Sequence, residues 1–179
     1  MNKKLFDFFT QSCHDFYKIS EDYIDAWIRD DLCKKEGLKF SPYAILDLTT
    51  IVYVYCDFAL FRTDLEYLRP TLRNFFDTTC IRYIEKQNRR ITTNYLDEII
   101  NETTAIIKKI DSETGFNSAL FELATRIVFA LEKDEPHEEY SIGYVTGYLG
   151  CTLLSVGIVE FLRKAMEVSR NFIYEARNQ

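Results

Sequence analysis

Three observations predict an all-α chain. Only 6 glycines and 3 prolines punctuate 179 residues, so the elements should be long and the turns few. Apolar residues recur at helical spacing through most segments. One unbroken run, Tyr43 to Phe61, is far longer than the roughly 5–6 residues of a usual strand.

Taken in order, Asn2 is placed to cap a first helix reaching about Tyr17, with Leu5, Phe6, Phe8, Phe9 and Phe16 as its apolar residues. Ser20 reads as the cap of a second. Glu21 and Asp22 would lie in its first turn, where the helix dipole favours acids, with Lys34 and Lys35 near its end before Gly37. That dipole accounts for Glu21, Asp22 and Asp25 without a metal, and no histidine at ligand spacing accompanies them.

Ser41 and Pro42 form a strong helix start, Ser as cap and Pro at the first helical position. The run that follows is rich in β-branched residues, but its length makes it a helix. Asp47 and Asp57 fall on one side of it with Thr50. Two carboxylates on an apolar helix suit either acid–base work or pairing with an arginine, and Arg126 is one candidate partner.

Thr63 and Glu66 have capping-box spacing and open a fourth helix, which Pro70 must kink or restart. Leu65, Leu72, Phe76, Thr79 and Tyr83 make its core face. Arg82, Lys86, Arg89 and Arg90 gather towards its end, with Arg69 and Arg73 nearer its start. Cations suit the negative end of a helix dipole, and the same residues could meet a phosphate or an acidic partner.

A fifth helix from Asn94 to about Ile110 buries Leu96, Ile99, Ile100, Ile106 and Ile107 and turns Asp97, Glu98 and Glu102 outward. A sixth, from Asn117 or Ser118, carries Leu120, Leu123, Ile127, Ala130 and Leu131 as its core stripe. Ser141 then caps the last, running to about residue 175. Its segment Ile142 to Val159 has no charge and aligns Gly143, Gly147, Gly150 and Gly157 on one face.

Each glycine inside a helix costs about 1 kcal/mol relative to alanine. A neighbour packed into the stripe, or an apolar ligand lying along it, must offset that. The stretch approaches the length of a membrane span, but its Gly, Thr and Ser content and its continuation through Glu160, Arg163 and Lys164 favour a buried central helix. The chain 1–179 is thus read as one domain, a bundle of six or seven helices around a long Gly-striped C-terminal helix.

Net charge is −6, and residues 91–140 alone hold four basic and eleven acidic residues. Asp97, Glu98, Glu102, Glu132, Asp134, Glu135, Glu138 and Glu139 therefore form the expected partner-binding set, suited to steering a basic protein. The acidic total opposes binding to phosphate backbones, so nucleic acid through the arginines and lysines above ranks behind it.

The five cysteines show no C-x-x-C pair, and the N-terminal stretch lacks the pattern of a secretory signal, so a reducing cytoplasm is expected. No nucleotide, zinc or nucleophile-elbow fingerprint occurs. Cys13 and His14, adjacent on a helix, point about 100° apart and cannot share a direct hydrogen bond. His137 lies in an acidic loop.

No cofactor and no metal are expected, and no catalysis. The composition is that of an acidic cytoplasmic protein–protein interaction module, an inhibitor of the immunity or toxin–antitoxin type that neutralises a basic partner such as a toxin nuclease. The alternative is a helical bundle, possible enzymatic work included, that holds an apolar small ligand along Gly143, Gly147 and Gly150 near Asp47 and Asp57.

Overall fold

The computed structural model describes residues 2–28, 38–40, 44–110, 131–133 and 158–178. Within them lie five α-helices: α1 (Lys3–Ile28), α2 (Ala44–Leu60), α3 (Arg69–Lys86), α4 (Thr93–Ile110) and α5 (Ile158–Arg177). Two three-residue strands, β1 (Leu38–Phe40) and β2 (Leu131–Lys133), pair antiparallel with Lys39 opposite Glu132. The all-α expectation holds for the described residues apart from this small ribbon.

Asn2 does cap α1, its Oδ1 accepting the Leu5 N–H at 3.2 Å. The break expected at Ser20 is absent, because α1 runs unbroken to Ile28. No glycine or proline interrupts 17–28, and a lone serine inside a helix costs only a fraction of a kcal/mol.

At the next turn, the Thr63 hydroxyl donates back to the Leu60 carbonyl at 2.7 Å and accepts the Leu65 N–H at 3.2 Å. It closes the end of α2 and makes no capping box with Glu66. A single 3₁₀ turn, Glu66–Leu68, follows, and Pro70 sits in the first turn of α3, where its missing N–H costs nothing. Pro70 restarts the helix and does not kink it.

The end of α3 shows why two residues with positive φ differ in kind. Asn88 (φ 56°) is the left-handed residue of a Schellman cap: its N–H reaches the Glu85 carbonyl, and the Arg89 N–H reaches Ile84. Arg62 (φ 60°) instead follows α2, where a bulky left-handed residue is unusual, and its guanidinium lies 5.0 Å above the Phe61 ring. Thr92 caps α4 through the Tyr95 N–H, and the helix begins at Thr93, one residue before the expected Asn94.

α2 packs against each of the other four helices. Residues 45, 46, 48–56 and 60 are all buried, as expected of a helix that neighbours cover on every side. Thr50 manages its hydroxyl by donating it to the Leu46 carbonyl at 2.6 Å. Among the described residues α2 is the central helix, and α5, the described part of the expected C-terminal helix, lies against α1 and α2. The Gly143, Gly147, Gly150 and Gly157 stripe and the helix expected over 117–130 lie outside the described residues. Leu131, expected at that helix's end, is in strand β2, where it pairs with Phe40.

One contiguous core joins all five helices. Its aromatic centre is Phe75 of α3, set edge-on to Phe6 (5.3 Å between ring centres) and near Phe9, which in turn meets Phe172 of α5 edge-on at 6.2 Å. Tyr53 of α2 lies 4.7 Å from Phe76. Of the residues expected in the core, Leu5, Phe9, Phe16, Leu72, Phe76, Leu96, Ile99, Ile106 and Ile107 are buried. Thr79 and Tyr83 are half-buried because they border a cleft between α1, α2 and α3.

Candidate functional site

The carboxylates singled out from the sequence do not assemble. Asp47 and Asp57 share a side of α2, but ten residues separate them, about 15 Å along a helix. Asp57 is taken up by Arg69 in a two-pronged pair, Nε to Oδ1 at 2.7 Å and a second nitrogen to Oδ2 at 2.8 Å. Those hydrogen bonds raise the Arg69 pKa above its ordinary value, with burial opposing them. Asp57 thus anchors the start of α3 to the end of α2, which removes it as a free acid or base.

Arg73 plays a similar part. It holds Asp77 one turn away at 2.9 Å and Asp97 of α4 at 2.6 Å. Burial pulls its pKa down, but the hydrogen bonds to Asp77 and Asp97 overcome that and leave it raised. Asp97, expected on a partner-binding surface, is therefore tied into the contact between α3 and α4. Glu98 and Glu102 are exposed on α4, Glu132 belongs to β2, and Asp134, Glu135, Glu138 and Glu139 lie outside the described residues.

The basic residues divide three ways. Arg69 and Arg73 are consumed by carboxylates. Arg89 is half-buried beyond α3, and Arg90 borders an open hollow with Ile91, Thr92 and Tyr95. Arg82 and Lys86 face a cleft of about 290 Å³ between α1, α2 and α3.

This cleft is where the described residues concentrate unused polar chemistry. Its floor is apolar: Phe6 and Cys13 from α1, Ile45 and Leu46 from α2, Cys80 from α3, all buried. Thr10 and Thr79 join their hydroxyls across it at 3.1 Å, fixing α1 against α3. Gln11 lines the wall and donates to Asp15 at 2.8 Å. Thr49, Tyr83, His14, Arg82 and Lys86 complete the lining.

Helical spacing explains the arrangement. Residues 6, 10, 13 and 14 share one face of α1, and 79, 82, 83 and 86 share one face of α3. The Arg82 guanidinium lies 5.5 Å from the Phe6 ring centre, a cation–π contact that steadies it at the rim. Neither Arg82 nor Lys86 has a carboxylate partner among the described residues. Asp47, on the α2 side, is close enough to Cys80 for its charge to help raise that thiol's pKa, so the positive field of the rim is partly opposed from below.

The thiols at the floor are not nucleophiles. Burial pushes Cys13 well above the ordinary thiol value, and the neighbouring Cys56 and Cys80 add to it; Cys80 is raised by burial first and by Asp77 next. At neutral pH the cleft offers cations, hydroxyls and an apolar floor, but no thiolate. No group of three or more metal-ligating side chains occurs among the described residues, and no helix among them is long and apolar enough to cross a membrane.

Sequence reasoning had separated these parts. The sequence sets His14 beside Cys13 alone, and places Arg82 and Lys86 in a basic cluster that suits the dipole of their own helix or a phosphate or acidic partner. The available signal is the shared spacing of Thr10 with His14 and of Arg82 with Lys86, each i and i+4 along one helix beside its buried residues. Comparison with protein-family models, with characterised proteins and with solved structures finds no match to the chain.

Proposed function

We propose that the protein is a non-catalytic, cytoplasmic binding module that captures an anionic group in the cleft between α1, α2 and α3. One observation carries the reading: Arg82 and Lys86 stand one turn apart at the rim beside His14, without a carboxylate partner among the described residues, whereas Arg69, Arg73 and Arg177 each hold one. Like charges at i and i+4 repel by a few tenths of a kcal/mol. An anion between them converts that repulsion into two attractions. The dipole of α3 favours Lys86 in its last turn, but its influence fades within that turn and leaves Arg82 less well accounted for.

Thermal unfolding with citrate, phosphate or benzoate against chloride at equal ionic strength tests this. An anion present at 100 times its Kd stabilises by about 2.7 kcal/mol, which for a chain of this size is a rise of roughly 5–10 °C in Tm. Arg82→Glu combined with Lys86→Glu should abolish the rise while leaving the anion-free Tm within a few degrees, since both residues are exposed. A rise that survives the double reversal would refute the site.

A second reading rests on the outer face of α4, where Glu98 and Glu102 are exposed one turn apart, and on the acidic excess of residues 91–140. On this reading the protein neutralises a basic protein partner, with Asp97 contributing less because Arg73 holds it. Reversal of Glu98, Glu102 and Glu132 to lysine should slow capture of such a partner, most strongly at low salt. Association that is indifferent to the reversal removes this reading.

A further inference from the structure

We infer that the ligand of the cleft is a ring-sized organic acid, one anionic group on a compact apolar body, and not a bare inorganic anion, a dinucleotide or a polyanion. The inference rests on the anion-binding reading above and adds the ligand's other half. The rim supplies charge through Arg82 and Lys86, but the floor is mostly apolar, built of Phe6, Ile45, Leu46 and the un-ionised thiols Cys13 and Cys80, with Thr49 the one buried hydroxyl among them. A bare phosphate held at the rim would leave that floor to water, which finds few polar partners there.

Size sets the other bound. An apolar cavity of about 150 Å³ accommodates benzene, and pockets for drug-sized molecules begin near 300 Å³. The cleft, at about 290 Å³, has room for one ring with its charged substituent and little more. A dinucleotide does not fit. The other arginines of the same helix, Arg69 and Arg73, are already held by Asp57, Asp77 and Asp97 and offer nothing to a polyanion.

The ordering within the cleft follows from its lining. The carboxylate or phosphate faces Arg82, Lys86 and His14, the ring lies on Phe6 and Leu46, and the linked Thr10 and Thr79 hydroxyls offer a hydrogen bond to a ring substituent. Carboxylate and phosphate are alternative sources of the same charge, so the probes include one of each.

Isothermal titration of the full chain with phenyl phosphate, benzoate, inorganic phosphate, acetate and benzyl alcohol, at matched ionic strength, tests the inference. Phenyl phosphate should bind at least tenfold more tightly than inorganic phosphate, or benzoate at least tenfold more tightly than acetate, and benzyl alcohol at least tenfold more weakly than the better ring-bearing acid. Arg82→Gln should weaken that acid about tenfold, and Lys108→Gln, the same charge change on exposed α4, should leave it unchanged. Equal affinity for inorganic and phenyl phosphate, with acetate equal to benzoate, overturns the inference and leaves the anion site standing. Benzyl alcohol binding as tightly as the acids, or no binding by any of the five probes at millimolar concentration, overturns the anion site itself. An oligonucleotide that displaces bound phenyl phosphate at micromolar concentration overturns the size argument.

Discussion

Stability is expected to collapse steeply above about pH 9, and the three buried thiols are the reason. Cys13, Cys56 and Cys80 are free and buried on α1, α2 and α3. Burial raises the pKa of each, and charging any one is opposed by its neighbours: Cys13 by Cys56 and Cys80, Cys56 by Asp57, Cys80 by Asp77. An unfolded chain ionises these thiols near pH 8.5, whereas the folded chain keeps their protons well beyond that.

The unfolded state then binds fewer protons, so stability falls as pH rises. The contribution is present in full below the unfolded value and is lost between it and the raised folded values. With three thiols at about 1.4 kcal/mol per pH unit each, the slope approaches roughly 4 kcal/mol per pH unit. Against a typical total of about 5–15 kcal/mol, one to four pH units suffice to unfold the protein. Tyr53, pushed up to about 12 mainly by burial and secondarily by Asp57, joins only above pH 10.

Urea unfolding under reducing conditions between pH 8 and 10.5 checks this. Cys56→Ala should remove about a third of the slope, although it lowers stability at pH 8. A slope unchanged by Cys56→Ala would show that other groups cause the alkaline loss.

The second large effect is expected at Phe75. It is fully buried, meets Phe6 edge-on and lies against Phe9, so its truncation opens a cavity where α1 meets α3. Phe-to-Ala changes in cores cost about 3–5 kcal/mol, and lost aromatic pairing adds roughly 0.5–1.5 kcal/mol. Phe75→Ala should lower Tm by about 10 °C or more. Tyr67, 71% exposed, is the control, and Tyr67→Ala should stay within about 0.5 kcal/mol of the parent. Equal losses at the two positions would contradict the placement of the core.

What was legible in the sequence is what acts locally. Asn2 and Pro70 mark helix starts because a cap or a fixed φ works within one turn, and both stand where that chemistry placed them. The β-branched run of α2 is helical because burial on all sides outweighs propensity. Thr63 was misread because its hydroxyl had two local options and took the Leu60 carbonyl. Ser20 was misread because a capping residue is also tolerable inside a helix.

The non-local pairings were not legible. Asp57 finds Arg69 because the Leu60–Leu68 turn with left-handed Arg62 folds α3 back onto the end of α2, while the other candidate, Arg126, lies outside the described residues. The cleft joins residues 10–14 to 79–86, and its Thr10–Thr79 bond spans 69 positions. Periodicity identifies each apolar face but does not say which faces meet.

The proposed anion site of Arg82, Lys86 and His14 is tested most directly by an amide and side-chain NMR titration with phenyl phosphate. Saturable shifts should concentrate on the His14 ring, the Arg82 Nε–H, and the backbone of residues 10–14 and 79–86, with α4 near Lys108 unmoved. Shifts centred on Arg90 and Tyr95, or spread evenly over exposed lysines and arginines, would place the anion elsewhere and contradict the account.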